Sequence, residues 1–112
     1  MTTSAIALNM INDAIVKLKS KGFKLVRNTF DVFDRRCCAV TAVSLTRVDR
    51  KSHETILGHA SRILGISNDQ IWAFTYGFDG TLAMKKRYIK RSDDLLAWYE
   101  AGAECARRWN VA

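Results

Sequence analysis

The chain has 112 residues, 48% of them hydrophobic and 26% charged, which suits one globular domain and excludes a disordered one. Eighteen Lys and Arg against eleven Asp and Glu leave a net charge of +7, which favours an anionic partner: nucleic acid or an acidic protein surface. No apolar run approaches the roughly 20 residues that span a bilayer, and the N-terminus lacks a signal-peptide pattern, so cytoplasmic residence without a membrane partner is expected.

The first helix is predicted from a cap at Thr3 or Ser4 to about Lys21. Its buried stripe is Ala7, Leu8, Ile11, Ala14, Ile15 and Leu18. Lys17, Lys19 and Lys21 complement the dipole at its C-terminal end, and Gly22 is the expected residue just past that end. Phe23 to Arg36 is the least helical segment. Alternation in Phe23-Lys24-Leu25-Val26 and in Phe30-Asp31-Val32-Phe33 predicts two short strands or an extended cover, with Asp34 available to cap the segment after it. Cys37 to about Thr46 reads as a short, largely apolar helix. Arg47 to Lys51 is a charged loop, after which Asp49 or Ser52 is expected to begin the next helix.

Cys37, Cys38 and Cys105 form no disulfide framework, because an odd count with an adjacent pair rarely bridges. No Cys-x-x-Cys is present, and His53 and His59 lie six apart, off a common helical face. No metal site and no cofactor are expected. Arg35 and Arg36 could activate Cys37 or Cys38, but a nucleophile also needs a base and an oxyanion site, and neither is visible, so no enzyme is expected. Buried structural cysteine is the simpler reading.

Residues 52 to 78 carry the densest set of agreeing local signals. Ile56, Leu57, Ala60, Ile63 and Leu64 build an apolar helical stripe. Gly65 stops that helix, and Ser67-x-x-Gln70 is a capping box that starts another. Ile71, Phe74 and Phe78 continue the stripe. Gly77-Phe78-Asp79-Gly80 then reads as a turn. From Ala60 through Leu64, Gly65, Ile66, Ser67 and Ile71 to Phe74, the stretch resembles the helix-turn-helix signature of DNA-binding domains. The resemblance implies a second helix that reads a groove through Asn68, Asp69, Trp72, Ala73 and Tyr76. No Lys or Arg stands on that face.

Lys85, Lys86, Arg87, Tyr88, Lys90 and Arg91 make the densest basic cluster, with a tyrosine able to stack on a base. Ser92 is predicted to cap a last helix reaching about Asn110, along the seam Leu95, Trp98, Gly102, Cys105 and Trp109. Ala101, Gly102 and Ala103 permit close approach to another helix, in this chain or in a second copy. The wider arrangement of Lys-Gly-Phe, Cys-Cys-Ala and Gly-Phe-Asp-Gly is similar to that of small uncharacterised proteins of bacteria and phages, which implies an accessory or mobile-element product.

The expected fold is mainly α: one compact domain of about five helices with a helix-turn-helix-like hairpin, and a short two-stranded or extended segment after the first helix. The expected function is nucleic-acid binding through phosphate contacts, using Lys85, Lys86, Arg87, Tyr88, Lys90, Arg91 and Asn68. The alternative is a protein-binding module, such as an inhibitor of a host or defence complex, anchored by Trp72, Tyr76 and Tyr88.

Overall fold

A computed structural model describes residues 4–30, 32–81 and 92–111. Among these residues five helices and one two-stranded sheet follow the order α1 (Ala5–Ser20), β1 (Lys24–Leu25), β2 (Arg36–Cys37), α2 (Ala39–Leu45), α3 (Ile56–Leu64), α4 (Asn68–Asp79) and α5 (Asp93–Arg108). The radius of gyration is 13.0 Å, the value expected of a compact chain of this length. No helix among the described residues is long and apolar enough to cross a membrane.

Ser4 caps α1, its hydroxyl accepting from the Ala7 amide, and the predicted stripe is buried except for the half-buried Leu8. Gly22 follows with φ +85° while the Phe23 amide closes the helix end on the Leu18 carbonyl. The sheet differs from expectation. The first strand falls inside the predicted segment, but its partner is Arg36–Cys37 rather than Phe30 to Phe33, and the pairing is parallel. The cause lies in Asp34 and Arg35, which both adopt left-handed φ (49° and 57°). They turn the chain between Phe33 and Arg36, so Phe33 meets Arg36 in an isolated antiparallel bridge and the extended register starts one turn later. Asp34 is therefore a turn residue. The cap of α2 is Cys38, whose sulfur accepts from the Thr41 amide at 3.4 Å.

The helix before Gly65 starts later than expected. Thr55 caps α3 by accepting from the Gly58 amide, whereas Asp49 and Glu54 are held by Arg62. The turn itself has the predicted chemistry. Gly65 is left-handed (φ +66°), which only glycine adopts without steric penalty. The Ile66 amide reaches the Ser61 carbonyl, and both halves of the Ser67–Gln70 capping box are made. The two helices do not form the central packing unit, however. α3 packs mainly on α2, and α4 packs mainly on α5.

That α4–α5 pair is the tightest contact in the fold. Gly77 is not part of a turn: α4 runs through it, and Gly80 (φ +74°) ends the helix three residues later. A Cβ placed on Gly77 would lie 1.8 Å from the Tyr99 carbonyl oxygen, and one on Gly102 would lie 2.0 Å from that of Phe74. The two glycines let the backbones touch, so the small-residue face of α5 is occupied by α4 of the same chain. Phe74, Phe78 and Trp98 fill the core around this crossing. Gln70 of α4 also donates to the buried Asp94 carboxylate of α5 at 3.0 Å. Trp109 lies at the core's edge, its Nε1 directed at Asn12 Oδ1 (3.5 Å) and its ring covered by Lys19 and Arg108.

Candidate ligand-binding groove

One face of α4 is not consumed by packing. Trp72 and Tyr76 stand one turn apart on it, both half-buried, with ring centroids 5.4 Å apart and planes 29° from parallel. Phe30 meets Trp72 edge-on at 5.7 Å and 86°. Phe30 comes from the loop between the strands, and two hydrogen bonds fix that loop. The buried Thr41 hydroxyl of α2 donates to the Phe30 carbonyl at 2.9 Å. The Asn28 amide donates to Asp79 Oδ1 at the end of α4, also at 2.9 Å. Asn28 has a left-handed φ of 63°, which asparagine tolerates better than most residues.

The aromatic row separates two clefts. The first, about 520 Å³, lies between Phe30, Trp72 and Asn68 on one side and Arg50, Ile56 and Leu57 on the other. Its walls are chiefly apolar. The second, about 430 Å³, is bounded by Asn28, Phe30, Trp72, Thr75, Tyr76 and Asp79. Burial pushes the Asp79 carboxyl above its ordinary range, an effect moderated by the Asn28 amide and by the charge of Arg27.

Of the residues singled out for binding, Asn68, Trp72 and Tyr76 share this one surface. Ala73 does not belong to it, because that methyl group is buried. Lys85, Lys86, Arg87, Tyr88, Lys90 and Arg91 lie outside the described residues. Phe30 and Arg50 carry no such signal in the sequence. They enter the groove through loop geometry, and no periodicity announces that.

The cysteines are buried. Burial pushes the Cys37 thiol to about 11, with Cys38 adding to the effect, and pushes Cys105 to about 12. Cys38 is also raised by burial, against the lowering effect of its Thr41 hydrogen bonds. Those directions oppose thiolate formation. Among the described residues no three His, Cys, Asp or Glu side chains gather as metal ligands.

His59 is engaged elsewhere. Its Nδ1 is 2.7 Å from Ser44 Oγ and its Nε2 is 2.7 Å from Asp49 Oδ1. An ionised Asp49 only accepts, so Nε2 carries the hydrogen, and a neutral ring then accepts at Nδ1 from the serine. The order serine, histidine, aspartate invites comparison with hydrolytic triads. Here the serine lies inside α2 at 5% exposure and the ring is fully buried. The chain of bonds ties the charged loop to α2 and α3. Arg62 extends it by binding Glu54 at 2.8 Å and Asp49 at 3.4 Å. Hydrogen bonds from Arg62 hold Glu54 down at about 2, and the His59 bond lowers Asp49 in the same sense. This network is invisible in the sequence because its members are spread over residues 44 to 62 with no motif spacing.

No family model, curated protein or solved structure matches the chain.

Proposed function

We propose that this protein binds nucleic acid, with phosphate contacts supplying most of the affinity and the groove around Trp72 supplying contact with bases. The observation that supports this best is the open row of Phe30, Trp72 and Tyr76, with Arg50 beside it, in a chain of net charge +7. Aromatic faces stack on bases of any identity, and excess cations attract the backbone. Lys85, Lys86, Arg87, Lys90 and Arg91 are assigned to phosphate, Tyr88 to stacking and Asn68 to a base edge. The assignment to accessory proteins of phage or mobile-element type rests on sequence resemblance. So does a helix-turn-helix role for α3 and α4.

The test is a titration of a labelled oligonucleotide at several salt concentrations. Log affinity falls linearly with log salt, and replacing Lys85, Lys86 and Arg87 together by Ala weakens binding to all sequences alike while flattening the slope. An affinity that ignores salt overturns the proposal.

A second reading is a protein partner anchored by Trp72 and Tyr76. It is favoured by the apolar Ile56 and Leu57 in the first cleft and by the Asp79 carboxylate in the second, which repels phosphate when ionised. A partner retained after nuclease treatment, from a protein that binds no oligonucleotide, would select this reading.

A further inference from the structure

We infer that the cleft between Trp72 and the start of α3 receives one unpaired nucleobase, so that the protein prefers single-stranded over double-stranded nucleic acid. The inference rests on the nucleic-acid reading above and names the form of the ligand.

A base is a flat body with two apolar faces and a polar edge. The first cleft offers the same division. Phe30, Trp72, Ile56 and Leu57 give it apolar walls, while Asn68 and Arg50 bring an amide and a cation. Its size lies within the range of sites for small organic ligands. The indole needs no rearrangement to receive a ring, because Tyr76 and Phe30 already fix its plane. The indole's ordering is thus paid before the ligand arrives. Asn68 can pair in bidentate fashion with an adenine edge, and Arg50 can meet the phosphate of the same nucleotide.

A duplex fits this surface poorly. Its bases are stacked on both faces and cannot enter a cleft without being unstacked, which opposes binding. α4 carries no Lys or Arg along its length, so nothing on it draws a pair of phosphate strands. Asp79 lies at its C-terminal end and repels a backbone laid along that part of the helix. A single strand avoids this by touching the cleft with one base and letting its phosphates run toward cationic residues elsewhere. The net charge complements that polyanion.

The experiment uses the whole chain, and fluorescence anisotropy at one low salt concentration. Three labelled ligands of equal length are compared: a single strand, the matching duplex, and a strand with its bases removed. The expected result is single-strand binding about tenfold tighter than duplex, with the abasic strand falling to the duplex level. Trp72→Ala abolishes the difference and Trp72→Phe keeps most of it. The abasic comparison leaves the protein untouched and so stands even if Trp72→Ala fails to fold. Equal affinity for all three ligands overturns the inference while leaving nucleic-acid binding in place. A failure to bind any of them overturns both.

Discussion

The two faces of α4 follow opposite rules. On one, Gly77 lets the helix lie against α5 with backbone touching backbone, and Phe74 and Phe78 are fully enclosed. On the other, Trp72 and Tyr76 remain half open and are satisfied mainly by one another and by a loop phenylalanine. The first face makes the fold. The second is held in place by the fold and left facing solvent, which is where binding energy is available. Substitutions on the two faces should therefore separate stability from binding.

The largest effect belongs to the closed face. Gly102→Ala replaces the residue that meets the Phe74 carbonyl, and the added carbon cannot be accommodated by a side-chain rotation because the obstacle is backbone. Alanine's better helix propensity returns only about 1 kcal/mol, whereas forcing the helices apart removes contact along the whole crossing, so a net loss of about 3 kcal/mol or more is expected. Urea denaturation measures it. A variant as stable as the parent would mean that α4 and α5 do not cross at these glycines.

Next comes Ser44→Ala. It removes the hydroxyl bonded to His59 Nδ1 and leaves a buried ring nitrogen without a partner. The expected loss is about 1–3 kcal/mol, read in the same denaturation experiment. Trp72→Ala serves as the contrast, since it takes away a half-open ring and should lower binding more than it lowers stability.

How far these regions can be foreseen differs for physical reasons. The helix ends are legible because caps are local: Ser4, Gly65, Ser67 with Gln70, and Ser92 act on residues within one turn. Ser67→Ala tests the least ambiguous of them, with an expected loss of about 1 kcal/mol and no change in ligand preference. Close packing through Gly102 is legible from its small neighbours, although its partner is not. Gly77 reads as a turn because Gly-Phe-Asp-Gly carries turn residues, and tertiary contact with Tyr99 overrides that local signal. The second strand slips to Arg36–Cys37 because two non-glycine residues take left-handed φ, which composition does not announce. Of the groove, Asn68, Trp72 and Tyr76 are readable as an exposed helix face. Phe30 and Arg50 reach it only through chain reversals far away in sequence.

The smallest effect has the opposite sign to the others. Asp79 is raised by burial, so its folded form holds a proton to higher pH than the unfolded chain does. Its contribution to stability is then fully present below the ordinary aspartate value and is lost as pH rises through the folded value. Glu54, held at about 2 by Arg62, runs the other way: its contribution is present above the ordinary glutamate range and is lost as pH falls toward 2. Asp79→Asn keeps an acceptor for the Asn28 amide and removes the buried charge. At neutral pH it should leave stability unchanged or raise it by less than about 1 kcal/mol. It should also tighten oligonucleotide binding severalfold, since it removes a negative charge beside the aromatic row. A variant that gains stability but loses oligonucleotide affinity would show that Asp79 contacts the oligonucleotide favourably instead of repelling it.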